Sequence, residues 1–284
     1  MTATATSMSS AAATIRALPV KKRSTLAQAG TLVWRNMLHI RRMPEMLLDV
    51  TIQPVMFVLL FAFVFGGAIA VDGASYREFL LPGIMGQTMV FASMIVALGL
   101  NNDLTKGIID RFRSLPMSKA SVLIGRSLSG IIHSSLGILV MAVTGLLIGW
   151  QINTGFWDGV LGFVVLLLFG FAMIWLGIWV GSALRSVEAI NGAMFTIMFP
   201  LTFVSNAFVP TDNMPPWLRT IAEWNPVSAL VQSLRDLWGN GAPAGPDTAW
   251  PLQHATVATI IWSVGLAAIF APFALRAFRR RSRD

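Results

Sequence analysis

The sequence predicts an all-α membrane protein with six spanning helices, and three observations lead there. Of its 284 residues 55% are hydrophobic and 12% are charged. That is about half the charged share of an average soluble domain, too little to cover a globular surface with hydrated groups. Six charge-free windows, at 50–71, 79–102, 127–157, 159–184, 189–211 and 248–275, each exceed the ~20 residues that carry a helix across about 30 Å of hydrocarbon. Most basic residues collect in alternate segments: Arg16 to Arg42, then Lys106, Arg111, Arg113 and Lys119, then Arg185, then Arg276 to Arg283, with Arg77, Arg219 and Arg235 on the other side. With an even number of spans, the positive-inside rule then puts both termini in the cytoplasm of a bacterial inner membrane.

The same placement explains the net charge of +8 without a nucleic-acid partner, since the cations lie between apolar spans and not on one folded face. Zero cysteines exclude disulfides and thiolate metal sites, and the three histidines have no metal-ligand spacing.

Residues 1–23 are rich in Ala, Ser and Thr, lack an apolar run before Lys21, and read as a disordered cytoplasmic tail, not a cleaved signal. Over 24–43, Leu26, Ala29, Val33, Met37 and Ile40 recur at helical spacing opposite Gln28, Arg35, His39 and Arg42. This predicts an amphipathic interfacial helix that ends before Pro44. Span one, about 47–70, carries Gln53-Pro54, and Pro54 predicts a kink. After an outer loop over 72–78, span two, about 79–100, sets Gln87, Thr88 and Ser93 among Met85, Met89, Phe91 and Met94, a polar-dotted and pliable surface.

The loop 101–119 predicts a second, short amphipathic helix on the cytoplasmic side. Leu104, Ile108, Phe112 and Leu115 share one face, Lys106, Asp110 and Arg113 the other, and Pro116 closes it. Such a ridge either rests on the membrane or sits in a groove of a cytoplasmic protein. Spans three, about 128–150, and four, about 159–183, read as scaffold, with Trp150 and Trp157 at interfacial depth and His133 as a helix–helix hydrogen-bonding group. Span five, starting after Glu188, is unusually rich in polar and aromatic groups, among them Asn191, Phe195, Phe199 and Asn206, which predicts a cavity or a partner helix beside it. The outer segment 209–251 predicts one or two short helices starting near Pro216 and Pro226, with Trp217, Trp224, Trp238 and Trp250 at the outer interface. Span six, about 252–275, ends in the basic tail 276–284.

The spans hold no paired acids or nucleophile with a base, so intramembrane catalysis is excluded, and they lack the mid-membrane Asp, Glu or Lys of an ion-driven carrier. The phosphate loop G-x-x-x-x-G-K-[ST] is also missing, so this chain is not itself an ATPase by that motif.

The string Lys106-Gly-Ile-Ile-Asp-Arg-Phe-Arg-Ser-Leu-Pro-Met-Ser-Lys119 resembles the coupling region of ABC-2 type transporter permeases. Phe208-Val-Pro, Asn213-Met-Pro-Pro-Trp-Leu, Asn225-Pro and Arg235-Asp-Leu-Trp-Gly resemble the same family's outer segment, and residues 44–275 would be its transmembrane domain. Within the family the chain is most similar to membrane subunits of daunorubicin/doxorubicin-type resistance exporters of actinobacteria. The resemblance implies two separate ATPase subunits that bind ATP and Mg, no cofactor on this chain, and a second permease subunit, identical or paralogous. It places the ATPase contact on Asp103, Lys106, Ile108, Asp110, Arg111, Phe112, Arg113 and Leu115, together with Arg41, Arg42 and Glu45. A cargo path between spans one, two and five would use Gln53, Gln87, Met94, Asn191, Phe195 and Phe199. Three functions stay open: export of an amphipathic drug or natural product, export of a lipid or lipid-linked glycan, and a non-transporting anchor for a cytoplasmic protein.

Overall fold

The computed structural model describes residues 30, 52, 54–65, 75–106, 119–241 and 243–281. Among them the regular elements are helical: α1 (Pro54–Val64), whose end passes into a π-helical turn at Phe61–Phe65, α2 (Tyr76–Thr105), α3 (Lys119–Leu147), α4 (Phe156–Ala183), α5 (Val187–Phe203), α6 (Pro216–Glu223), α7 (Pro226–Trp238), α8 (Trp250–Gln253) and α9 (Ala255–Arg281). Four of the described helices, α2, α3, α4 and α9, are long and apolar enough to cross a membrane, while α1 and α5 are shorter apolar helices. Apart from Gly30, the predicted interfacial helix over 24–43 lies outside the described residues, as do the predicted disordered tail over 1–23 and the basic tail beyond Arg281.

α2 starts earlier than the sequence reading placed it. Ser75 accepts a hydrogen bond from the Glu78 amide, while Glu78 accepts one from the Ser75 amide, a reciprocal cap that brings Tyr76–Glu78 out of the expected loop and into the helix. At its other end α2 runs to Thr105, so Asp103 and Leu104 sit in its last turn and not in a separate short helix.

α4 packs most extensively against α2 and α9. Its contact with α2 is close because Gly177 and Gly181 face Ser93 and Ala97: a Cβ on Gly177 would strike the Ser93 carbonyl, and one on Gly181 the Ala97 carbonyl. Small residues four apart on both helices permit this backbone approach, the usual device for joining helices in lipid. α3 turns into α4 through Gly149, whose φ of 97° lies in the left-handed region.

α5 is shorter than the window of apolar sequence. It is capped by Ser186, which accepts from the Ala189 amide, and it stops at Phe203, after Pro200. Residues 204–210 are irregular. The outer segment folds back as expected, with α6 and α7 starting at the anticipated prolines. Asn225 caps α7 by accepting from the Val227 amide (2.8 Å), and its side-chain amide donates to the carbonyls of Leu201 and Val204 at the end of α5. In α6, Arg219 Nε donates to Glu223 Oε1 (2.6 Å), and that bond with the Glu223 charge holds the guanidinium pKa above its ordinary value.

α7 does not lie on an outer surface. It is buried along most of its length, between α9, α4 and α2. Trp238, expected at the interface, is fully buried, with Nε1 donating to the Gly159 carbonyl (3.1 Å), and Trp150 is buried against it at 5.4 Å between ring centroids. Trp217, Trp224 and Trp250 remain exposed.

At the opposite end, Arg281 donates to the carbonyls of Gly181 and Leu184 and to Asn101 Oδ1 (2.7 Å), closing α9 onto α4 and α2. α9 therefore continues as a helix through the start of the predicted basic tail.

Candidate functional site

A cavity of about 410 Å³ opens between α1, α2, α3 and α5. Pro54 and Phe57 come from α1; Ile84, Gln87, Thr88, Phe91, Met94 and Leu98 are among those from α2; His133, Ser134 and Gly137 come from α3; and Phe195 comes from α5. The wall is mostly apolar with a few polar groups, the chemistry of a pocket for an amphipathic molecule. Thr88 donates to the Ile84 carbonyl (2.9 Å) and Ser134 to the Gly130 carbonyl (2.9 Å), each satisfied within its own helix. The Gln87 amide and the His133 ring are the stronger hydrogen-bonding groups on the wall. Phe91 meets Phe195 edge to face at 6.3 Å, joining α2 to α5 across the cavity rim.

Of the residues expected on the cargo path, Gln87, Met94 and Phe195 meet at this cavity. Asn191 and Phe199 are not among its lining residues. Asn191 lies one turn before Phe195 with its Oδ1 buried and unpartnered, and Phe199 is about half exposed. Phe199 instead stacks on Phe203 (4.2 Å), which stacks on Phe208 (5.3 Å), then Phe61 (5.2 Å) and Phe57 (5.3 Å), a ladder that ends at the cavity wall. Gln53 lies outside the described residues. The sequence does not predict the contribution of α3, because one histidine among apolar residues in a helix carries little signal. A small-residue face over Ser134 and Gly137 was the available clue.

Of the residues expected to touch an ATPase, Ile108, Asp110, Arg111, Phe112, Arg113, Leu115, Arg41, Arg42 and Glu45 lie outside the described residues. Asp103 and Lys106 end α2. Asp103 faces Arg126 of α3 (3.2 Å), whose guanidinium passes over Gly99 to reach it, so the helices on either side of 107–118 are tied together just before that segment leaves them.

A residue expected on the outer side, Arg235, organises the other end. Arg235 is 2% exposed. It donates from Nε (3.0 Å) and an Nη (2.9 Å) to the Phe79 carbonyl, and from the Nη to the carbonyls of Asn206 (2.9 Å) and Ala207 (3.3 Å), with its guanidinium over the Phe79 ring. It thus satisfies carbonyls of the irregular 204–210 segment and fastens α7 to the start of α2.

Comparison with known proteins adds to this geometry. The profile of the ABC-2 type transporter family matches residues 27–237. The chain is 32% identical over 252 residues to the daunorubicin resistance ABC transporter permease protein DrrB1 of Streptomyces coeruleorubidus, covering 89% of this chain and 86% of that one. It is 24% identical over 233 residues to the probable doxorubicin resistance ABC transporter permease protein DrrC of Mycobacterium tuberculosis, with 81% and 80% covered. It is 26% identical over 215 residues to the putative transport permease ycf38 of Cyanophora paradoxa, with 74% of each covered. A chain with four long apolar helices among its described residues, matched by one family profile over most of its length and by permeases over about three quarters or more of theirs, belongs to the ABC-2 type transporter family.

Proposed function

We propose that this chain is the permease subunit of an ATP-driven exporter of amphipathic drugs or natural products, with the α1–α2–α3–α5 cavity as part of the cargo path. The observation that carries the cargo reading is that cavity: about 410 Å³, apolar and aromatic, with Gln87 and His133 on its wall. It suits a molecule with a hydrophobic ring system and a few hydrogen-bonding groups. The names of the two resistance permeases above support the same class of cargo.

In this reading the chain has six spans, with α1 and α5 as the two short ones, and both termini in the cytoplasm. The alternation of Lys and Arg supports that orientation. Two ATPase subunits bind ATP and Mg and engage residues 103–116 together with Arg41, Arg42 and Glu45, and a second permease subunit completes the path. The Asp103–Arg126 pair supports a coupling role for 107–118, since it gives that segment a rigid base on two helices.

The test is accumulation of a panel of amphipathic drugs in cells expressing the chain with its ATPase. Lower accumulation of one or more drugs, lost on replacing both Gln87 and Phe195 by alanine while membrane levels hold, is the expected result. Unchanged accumulation of every drug would overturn the cargo reading.

A further inference from the structure

A second pocket of about 420 Å³ lies at the far end of the helices, between the end of α4 and the end of α9. Arg185, Arg276, Arg280 and Arg281 line it beside Trp179, Phe273 and Ser182, and none of its lining residues is acidic. Arg276 and Arg280 are one turn apart on α9, an arrangement of like charges that weakens a helix when nothing neutralises it. Among the described residues neither is paired with a carboxylate. Arg281 is held in place by the carbonyls of Gly181 and Leu184 and by Asn101, so the back wall is fixed. Ser182 supplies an independent sign: it is 2% exposed, and its buried Oγ has no hydrogen-bond partner. A buried hydroxyl without a partner is costly, and on the wall of a cationic pocket it is a donor in wait for an acceptor.

We infer that this pocket binds a phosphate-bearing anion, the headgroup of an acidic phospholipid. Guanidinium groups suit phosphate oxygens through paired N–H donors. The aromatic wall selects a lipid over free phosphate: Trp179 packs against Phe270 (5.4 Å) and Phe273 (6.4 Å), and Phe273 is 46% exposed, leaving an apolar track for an acyl chain next to the cations. Bound there, the lipid cross-links α4 and α9 at the end where the loop carrying Arg185 leads into α5. The site is separate from the cargo cavity and does not depend on what the exporter carries.

The full chain, purified in neutral detergent, is titrated with phosphatidylglycerol, phosphatidylcholine or inorganic phosphate, and its thermal midpoint is followed. Phosphatidylglycerol is expected to raise the midpoint by several degrees, phosphatidylcholine to have a much smaller effect, and the R276Q/R280Q variant to lose the gain. R279Q removes the same kind of charge from a residue that does not line the pocket and should keep it. A gain from inorganic phosphate equal to that from phosphatidylglycerol keeps the anion site and assigns it to free phosphate. Equal gains in the wild type and R276Q/R280Q, or equal gains from the two lipids, overturn the proposal. Native mass spectrometry of the wild type gives a readout that needs no variant: acidic phospholipid retained through purification supports the site, and its absence counts against it.

Discussion

Replacing Arg235 by methionine tests whether one guanidinium holds the outer end of the chain together. The Phe79 carbonyl belongs to a helix, but those of Asn206 and Ala207 lie in an irregular segment and depend on Arg235. A hydrogen bond from a charged donor contributes about 1.5–3 kcal/mol, so two lost acceptors cost roughly 3–6 kcal/mol. Methionine also removes the cost of burying a cation, which offsets part of that and leaves a net loss of about 2–4 kcal/mol. For a chain of this size that corresponds to a fall of roughly 5–15 °C in the thermal midpoint. Tryptophan fluorescence of the detergent-solubilised protein would follow it, since Trp238 sits in the same helix. Lysine discriminates between charge and geometry. R235K keeps the cation but loses the planar fork that reaches three carbonyls, and it should be no more stable than R235M. A midpoint for R235M within about 2 °C of wild type would refute the reasoning.

Gly177→Ala pushes a methyl group into the Ser93 carbonyl and should lower stability by about 1–3 kcal/mol. Gly192→Ala, in open space on α5, should raise it by up to ~1 kcal/mol, and the two midpoints measured side by side separate close packing from helix propensity. Trp238→Phe loses the bond to the Gly159 carbonyl and should cost about 1–2 kcal/mol in the same assay. Asp103→Asn breaks a partly exposed pair and should cost about 1 kcal/mol or less, but in the assembled transporter it should lower drug-stimulated ATP hydrolysis. The D103R/R126D exchange should recover that hydrolysis, and failure of the exchange while the protein folds would detach the pair from coupling.

The long spans were legible because hydrocarbon demands apolar length and little else, so α2 and α4 came within a few residues of their ends. Pro216 and Pro226 marked α6 and α7 because proline suits a first helical turn. The burial of α7 was not legible. Its stripe of Val227, Leu230, Val231, Leu234 and Trp238 reads equally well as a helix lying on a membrane, and only the acceptors at 204–210 explain why Arg235 goes inside with it. Ser75 and Glu78 do spell a capping box, three residues apart, and that pattern sets the start of α2 at Tyr76. The cavity was half legible: Gln87, Met94 and Phe195 carried unusual chemistry for lipid, whereas the α3 wall consists of residues common in any membrane helix.

Asn225 and Arg235 have a mechanical consequence. The first grips the last carbonyls of α5, the second grips the segment that follows, and the same arginine reaches the beginning of α2. α5 also carries Phe195 on the cavity wall. A tilt of α5 that widens the cavity must therefore drag the α6–α7 hairpin with it or break bonds to buried carbonyls. The hairpin and the cavity are thus joined by one chain of contacts that passes through Arg235.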